Sequence, residues 1–128
     1  MQYSIETRIR DNPILRSSFN ALAEETFGLS FETWHQAGYW TERYLPYAAC
    51  AGGRVIANAS VNLMDTVWNG KTRRFIQIGT VMTARDARGM GIARSLLERI
   101  LQDWERRSDL IYLFANDTVL DFYPRFGF

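Results

Sequence analysis

One stretch of the chain decides its fold: Arg88-Gly89-Met90-Gly91-Ile92-Ala93. It joins a strand-like run at residues 75–81 to an amphipathic run at residues 92–104. A glycine-rich turn at the start of a helix leaves several backbone N–H groups without partners inside the helix. Together with the positive end of the helix dipole, these donors favour binding of phosphate. The stretch therefore predicts a phosphate site, and the alternative is an ordinary connection between a strand and a helix.

The segments before the turn are typical of an antiparallel meander. Residues 47–50, 54–63 and 73–81 are predicted strands, because apolar side chains alternate along them or run together between turn residues. Asn69-Gly70 is a strong hairpin signal, and Gly52-Gly53 predicts a second turn. A dinucleotide-binding fold is disfavoured, because its glycine turn belongs to a βαβ unit rather than to a series of hairpins.

The segments after the turn complete the predicted sheet. Residues 89–107 are predicted to form a helix that buries apolar residues at helical spacing, with Arg106 and Arg107 in its last turn. Residues 110–115 are a short apolar strand, which a right-handed crossover places parallel to the preceding strand. A last short helix is expected to begin at Asp117.

The N-terminal part of the chain is predicted to add one strand and two helices. Residues 3–9 alternate apolar and polar side chains, as a half-buried strand does. Asn12-Pro13 is a helix start and Gly28 a helix stop, and Ser30 is expected to cap a second, short helix. The residues predicted to form the buried side of the first helix are Ile14, Leu15, Leu22 and Phe27. The order is β-α-α-β-β-β-α-β-α, an α+β fold with helices flanking a mixed, mostly antiparallel sheet.

The composition limits the classes of function. The 128 residues fit one domain, 1–128, with 47% apolar and 23% charged residues, as in soluble globular proteins. A net charge of +1 gives no basic face for nucleic acid, and no apolar run has the length of a membrane span. With one histidine and one cysteine, no metal site of the usual zinc kind is expected. The lone Cys50 and the absence of a signal-peptide pattern favour a cytoplasmic protein.

Two motifs make the chain resemble the GNAT superfamily of acyl-CoA-dependent N-acyltransferases. The first is Ile78-Gly79-Thr80-Val81-Met82-Thr83 followed by the turn from Arg88 to Ala93, which is similar to the family's strand and its Arg/Gln-x-x-Gly-x-Gly/Ala helix start. The second is Phe114-Ala115-Asn116, then Phe122-Tyr123 and a closing Gly127-Phe128. The resemblance covers most of the chain, is weakest near the N-terminus, and implies the fold that the element order predicts.

The resemblance implies where acyl-CoA binds. The third strand of the meander is implied to splay from the strand at 110–115, which opens a cleft where the pantetheine arm pairs with backbone as an added strand does. The pyrophosphate is implied to bind the glycine turn, where missing Cβ atoms allow close approach. The implied arm residues are Val81, Met82 and Thr83. The implied pyrophosphate residues are Arg88, Gly89, Met90, Gly91, Ile92, Ala93 and Arg94.

Two residues of the second motif also acquire roles from the resemblance. Asn116 is implied to hydrogen-bond the cofactor arm, and Tyr123 to be the general acid that protonates the departing CoA thiolate. A phenol with a pKa of about 10 stays protonated at neutral pH, as that role requires. The residues alone leave alternatives open, namely Tyr123 as a core aromatic and Asn116 as a helix cap.

The acceptor side of the site departs from the family pattern. Many members place a glutamate on the strand before the turn to deprotonate the amine, but here that strand carries Gln77 and no carboxylate. The proton is left to water or to Glu25, Asp65 or His35. The residues that cluster where the family covers its acceptor, with a loop folded onto the core as the alternative, are Trp34, Tyr39, Trp40 and Tyr44.

The chain also stops at Phe128, where family members usually continue with one or two more strands. We therefore expect a C-terminally incomplete domain, or a second copy of the chain covering the open sheet edge. The expected function is direct transfer of acetyl from acetyl-CoA to a small-molecule or peptide amine. The alternatives are a non-catalytic CoA- or acyl-CoA-binding regulatory domain and a plain phosphate- or nucleotide-binding domain.

Overall fold

The computed structural model describes residues 2–113 of the chain. Its strands are β1 (Ser4–Glu6), β2 (Tyr44–Ala51), β3 (Arg54–Trp68), β4 (Lys71–Thr83) and β5 (Leu110–Leu113). Its helices are α1 (Pro13–Phe27), α2 (Glu32–Gln36) and α3 (Ile92–Trp104), and a short 3₁₀ helix, Arg85–Ala87, lies between β4 and α3. The predicted order is confirmed as far as β5, and the predicted last helix lies outside the described residues.

The five strands form one sheet in the order β1-β2-β3-β4-β5. The first three pairs are antiparallel, whereas β4 and β5 are parallel. The β2–β3 and β3–β4 hairpins close on two-residue turns, Gly52-Gly53 and Asn69-Gly70, in which all four residues have positive φ. The predicted α+β fold with its mixed, mostly antiparallel sheet is thereby confirmed.

Helix α1 begins and ends where the sequence predicts. The Asn12 side chain accepts a hydrogen bond from the Leu15 N–H at 3.1 Å, and Gly28 ends the helix with φ of 73°. Its fully buried residues are Phe19, Asn20, Leu22 and Ala23. The predicted burial of Ile14 and Phe27 is wrong, since they are 72% and 48% exposed. Both lie at the ends of the helix and at the margin of the buried stripe, whose centre is Phe19.

Helix α3 packs on the sheet through an apolar face. The buried residues of this face are Ile92, Leu96, Leu97, Ile100 and Trp104. Behind them the Tyr47 hydroxyl donates to Asp103 at 2.9 Å and accepts from Trp104 Nε1 at 2.9 Å, and burial raises the pKa of Tyr47 to about 12. The helix is shorter than predicted at both ends. Arg106 and Arg107 follow its last turn, and the Arg107 guanidinium lies 4.5 Å from the Trp104 ring centroid instead.

Helix α2 lies on the other face of the sheet and is fastened to α1 by one carboxylate. Glu32 accepts hydrogen bonds from Arg16 Nε at 3.0 Å, Asn20 Nδ2 at 3.1 Å and Gln36 Nε2 at 2.8 Å. Ser30 Oγ accepts from the Glu32 N–H at 3.2 Å, but the N-cap of this helix is Phe31, so the prediction that Ser30 caps it is wrong by one residue. Because α2 is only one turn long, these bonds rather than its own ladder fix its position.

We predict that acid loosens this attachment through Glu32. Hydrogen bonds from Gln36 and Arg16 lower the pKa of Glu32 below its ordinary 4.5. A lowered folded-state pKa stabilises the protein above the unfolded value, and that contribution is lost as the pH falls through the folded value. Urea midpoints should therefore fall more steeply between about pH 6 and about pH 3 in the wild type than in Glu32→Gln. Parallel pH profiles would contradict this assignment.

Candidate functional site

Strand β4 carries a β-bulge just before the predicted arm-binding residues. Ser60 pairs with Gly79 and Asn58 with Met82, so Ala59 alone lies opposite Thr80 and Val81. Thr80 has φ of 49°, in the left-handed region that β-branched residues rarely adopt. Such a bulge bends the strand and redirects its backbone groups. The change of direction therefore falls between the long β3–β4 hairpin and the segment that leads to the glycine turn.

Four side chains surround this bulge and form a continuous hydrogen-bonded group, the bulge cluster: Tyr44, Asn58, Ser60 and Thr80. The Tyr44 hydroxyl lies 2.8 Å from Thr80 Oγ1 and accepts from Ser60 Oγ at 3.0 Å. Asn58 Nδ2 donates to Ser60 Oγ at 2.9 Å and to the Thr80 carbonyl oxygen at 3.0 Å. Both polar atoms that Thr80 offers as acceptors are thus held by side chains of β2 and β3.

Three members of the bulge cluster, Tyr44, Asn58 and Ser60, are buried, and Thr80 is half-buried. Asn58 is 1% exposed and Ser60 is fully buried, and burial raises the pKa of the Tyr44 phenol. Buried polar groups destabilise a protein unless they are hydrogen-bonded, and this cluster satisfies all but one of its members' side-chain atoms. The exception is Asn58 Oδ1, which has no partner among the described residues. Polar groups and a left-handed β-branched residue are therefore concentrated around one peptide.

The glycine turn follows β4 through a well-anchored connection. Ala84, just before the 3₁₀ helix, and Ala87, its last residue, are buried, and Arg54 makes a bidentate pair with Asp86 at 2.8 and 3.0 Å. Gly89 and Gly91 have φ of 78° and 75°. A Cβ at either position would meet no described atom within 4 Å, so backbone conformation rather than packing demands glycine there.

The end of α3 that faces the turn offers backbone donors. Gly91 is its N-cap and, having no side chain, supplies no cap hydrogen bond. The first N–H groups of a helix have no partner within it, so those that follow Gly91 point out of its N-terminus. The turn in front of them is exposed, with Met90 at 53%. This arrangement suits an anionic group of phosphate size.

The structure brings most of the predicted cofactor residues together. Val81 and Thr83 are half-buried at the end of β4, and Met82 between them is buried. Arg88 links the two parts, because its Nε donates to the Thr83 carbonyl oxygen at 3.3 Å. Ile92 contributes its backbone only, since its side chain lies in the core. The remaining turn residues in this part of the site are Gly89, Met90, Gly91, Ala93 and Arg94.

Two predicted site residues are not part of this description. Asn116 and Tyr123 lie outside residues 2–113, and so does the whole of the second motif. The parallel β4–β5 pairs run from Phe75–Leu110 to Ile78–Leu113, which is the last described residue. The implied splay near Val81 lies beyond the last described pair of β4 and β5, and it therefore stays a prediction.

The aromatic residues expected near the acceptor divide between the core and the surface. Trp40 is 4% exposed and Tyr44 6%, whereas Tyr39 is 67% exposed and Trp34 is half-buried. The inner ones form an aromatic cluster: Phe19, Phe31, Trp34, Trp40 and Tyr44. Trp40 Nε1 and His35 Nδ1 are buried beside it without partners among residues 2–113. The cluster lies on the α2 face of the sheet and ends at the Thr80 bulge through Tyr44.

Two side chains that could do chemistry, Asp65 and Cys50, are unsuited to it here. Asp65 accepts from Arg74 Nε at 2.9 Å and from Arg43 at 3.3 Å, and these bonds, chiefly that from Arg74, lower its pKa. Arg74, its register partner, is six residues from Thr80, roughly 20 Å along the strand. Asp65 is therefore a poor base for chemistry at the bulge. Burial raises the pKa of the Cys50 thiol to about 11, which leaves it unreactive.

Sequence reasoning missed the bulge cluster. Asn58, Ser60 and Asn62 alternate with apolar residues along β3, a pattern that predicts a solvent-facing side. The structure instead packs α1 and the aromatic cluster, through Tyr44, against this side. The available signal was small polar residues within a strand that lies centrally in the meander.

Residues 2–113 include no cluster of three or more histidine, cysteine, aspartate or glutamate side chains placed to hold a metal ion. None of the helices described has the length and apolar character needed to span a bilayer.

Comparison with known proteins identifies a family for the chain. The family model described as "Acetyltransferase (GNAT) domain" matches residues 14–128. No curated protein matches the sequence significantly.

Solved structures with the same fold are numerous, with 202 significant matches. An acetyltransferase from Trypanosoma brucei is 16% identical with a TM-score of 0.82, over 99% of this chain and 92% of that one. A predicted acetyltransferase from Clostridium acetobutylicum, solved with acetyl-CoA, is 23% identical with a TM-score of 0.70, over 99% and 88%. Glucosamine-6-phosphate N-acetyltransferase from Arabidopsis thaliana is 13% identical with a TM-score of 0.72, over 100% and 92%. At these identities the likeness shows the fold alone.

We predict that two substitutions of Thr80 differ in their effect on stability. Thr80→Val keeps the shape but removes Oγ1, so the Tyr44 hydroxyl loses a partner and the free energy of unfolding falls by about 1–2 kcal/mol. Thr80→Gly loses the same bond but relieves the left-handed strain, so its net change stays within about 1 kcal/mol. Urea denaturation measures both. A glycine variant less stable than the valine variant would contradict the strain at this bulge.

Proposed function

The chain belongs to the GNAT acetyltransferase family, and on this basis we propose that it transfers an acetyl group from acetyl-CoA directly to an amine. The observation that carries the proposal is the run of backbone from the bulged end of β4 to the uncapped N-terminus of α3. It combines an extended segment at 81–83 with exposed donors at the glycine turn. Acetyl-CoA contains a polar arm that pairs with extended backbone and a pyrophosphate that suits such donors.

The turn fits the pyrophosphate of CoA in three respects. Its two glycines adopt the left-handed conformation, no described atom fills the space where their Cβ atoms would stand, and the N-cap residue Gly91 makes no side-chain cap hydrogen bond. Arg88 adds a positive charge beside the turn while its Nε holds the Thr83 carbonyl. We assign the pyrophosphate to residues 88–94 and the pantetheine arm to Val81, Met82, Thr83 and Asn116.

The reaction needs positioning and proton transfer, because the thioester is already activated. The amine nitrogen attacks the thioester carbonyl carbon, so that a C–N bond forms and the C–S bond breaks. The thiolate that leaves takes a proton from Tyr123, the proposed general acid, and becomes free CoA thiol, and the Tyr123 phenolate regains a proton from solvent. The ammonium form of the acceptor gives up its protons to solvent, since β4 carries no carboxylate and Asp65 is bound to two arginines. The net products are the amide, CoA and one proton, and no metal takes part.

We propose a small-molecule or peptide amine as the acceptor, in a cytoplasmic setting and without nucleic acid or membrane as partners. The amine nitrogen is consistent with the fold neighbour named for N-acetylation of glucosamine-6-phosphate. The acceptor side is assigned to the α2 face of β4, where the aromatic cluster and Gln77 lie. This face offers rings and neutral polar groups rather than a carboxylate on the strand itself.

A non-catalytic CoA- or acyl-CoA-binding regulatory domain is the second candidate. The absence of a carboxylate from β4 favours it, because binding of CoA needs no base. The two functions separate in one assay, the release of free CoA thiol from acetyl-CoA with a panel of amines. Binding of acetyl-CoA without thiol release for any amine supports the regulatory domain, and amine-dependent release supports the enzyme.

The turn assignment predicts that Gly91→Trp abolishes CoA binding in isothermal titration calorimetry. The indole would occupy the space in front of the helix N-terminus, which no described atom fills. Gly28→Trp is a matched control, since Gly28 also has positive φ, ends a helix and has open space around it. Both variants should lose similar stability, but only Gly91→Trp should lose CoA. Equal CoA affinity in the two variants would refute the assignment.

The general-acid assignment predicts that Tyr123→Phe lowers turnover and leaves acetyl-CoA affinity nearly unchanged. Loss of a positioned proton donor costs about 10²–10⁴-fold in rate. Steady-state kinetics of thiol release and a CoA titration measure the two quantities. Unchanged turnover would contradict the assignment of Tyr123 as the general acid.

A further inference from the structure

Tyr44 is the one residue of the bulge cluster that also belongs to the aromatic cluster. Its ring centroid lies 5.3 Å from that of Trp34 and 5.5 Å from that of Trp40, both edge-on, and 5.7 Å from that of Phe31, stacked. Its hydroxyl contacts Thr80 and Ser60. A single side chain therefore joins the segment around α2 to the left-handed residue in β4.

The bulge cluster also fixes the orientation of one peptide group. Asn58 Nδ2 donates to the Thr80 carbonyl oxygen, while Tyr44 holds the Thr80 side chain from β2. The C=O and N–H of a planar trans peptide point in opposite directions. With its oxygen turned to Asn58, the Thr80–Val81 peptide directs the Val81 N–H away from the Asn58 amide. Val81 is the first residue of the proposed arm-binding segment.

We propose that Tyr44 and Asn58 are positioning residues for acetyl transfer, which hold the Thr80–Val81 peptide so that β4 presents its backbone to the thioester end of acetyl-CoA. The inference rests on the proposed function, in which residues 81–83 receive the arm. It adds that side chains of β2 and β3 set the geometry of that backbone, and that the aromatic packing around α2 acts on it through the Tyr44 ring.

Ordinary core packing does not account for these features. A phenylalanine would fill the place of the Tyr44 ring without burying a hydroxyl, and a glycine would adopt the φ of Thr80 without strain. Tyr47 lies on β2, as Tyr44 does, and offers a comparison. Its buried hydroxyl also makes two hydrogen bonds, but these fasten α3 on the opposite face of the sheet. Tyr47 stabilises the packing of a helix, whereas Tyr44 and Asn58 bind the strained residue Thr80.

The test compares Tyr44→Phe with Tyr47→Phe, each of which removes one buried hydroxyl from β2. Turnover is measured with acetyl-CoA and the amine that the wild type acetylates fastest, and CoA affinity by calorimetry. Because misplacement of a reacting group by about 1 Å costs up to about 10²-fold, Tyr44→Phe should lower kcat at least about tenfold and change CoA affinity less than about threefold. Tyr47→Phe should lose comparable stability and keep its kcat. Equal kcat in the two variants overturns the proposal.

A second pair of variants asks whether Tyr44 acts through Thr80. In a Thr80→Gly background the left-handed φ is unstrained, and the side chain that Tyr44 holds is absent. Adding Tyr44→Phe should therefore change kcat by less than about threefold. A full loss in this background means that Tyr44 acts by another route and overturns the proposal. The same pair serves if Tyr44→Phe alone does not fold.

Failure of the proposed function is recognised separately. If the wild type transfers acetyl to no amine, the proposed function is wrong. The NMR backbone chemical shifts of Thr80 and Val81 then decide whether Tyr44 holds the Thr80–Val81 peptide. Tyr44→Phe should move these shifts towards extended-strand values, and Tyr47→Phe should not. Unchanged shifts in Tyr44→Phe overturn this positioning role of Tyr44, whether or not the protein is an enzyme.

Discussion

The hydrogen bonds around Thr80 are the constraint on which the rest of the site depends. One extra residue in β4 breaks the register with β3, and the left-handed φ of 49° stores strain there. Tyr44 and Asn58 hold that residue from two neighbouring strands. Because the strand continues from the bulge into the 3₁₀ helix and the glycine turn, the direction set at Thr80 carries on to the N-terminus of α3.

The two faces of the sheet have different roles. Helix α3 is fixed by its apolar face and, at its C-terminal end, by the Tyr47–Asp103–Trp104 hydrogen bonds, whereas the glycine turn lies at its N-terminal end. On the opposite face, the Glu32 bonds fasten α2 to α1, and the aromatic cluster fills the space down to Tyr44. Cofactor and acceptor are thus assigned to structures that meet at β4. The backbone of that strand serves the cofactor, and its α2 face serves the acceptor.

Local signals in the sequence predicted much of this arrangement, and long-range ones did not. Asn12, Gly28, Asn69-Gly70 and the glycine turn act through their own backbone geometry, so their roles could be predicted from neighbours in sequence. The Thr80 bulge depends on Asn58 and Tyr44, which lie 22 and 36 residues away. The burial of Asn58 and Ser60 likewise depends on helices packed from elsewhere, and an alternating polar pattern gave the opposite expectation. Ile14 was misplaced for a related reason, because hydrophobicity alone does not say where a helix extends beyond the sheet.

The central claim is that one continuous backbone segment, from the bulge to the start of α3, binds CoA. Titration of the isotope-labelled protein with CoA, followed through backbone amide resonances, tests this most directly. We predict that the largest shifts fall on residues 81–83 and 88–94, with little change in a separate cleft between α1 and α2, which is lined by Arg16, Asn20, Glu24 and Glu32. Largest shifts in that cleft, or none at the glycine turn at saturating CoA, would contradict it.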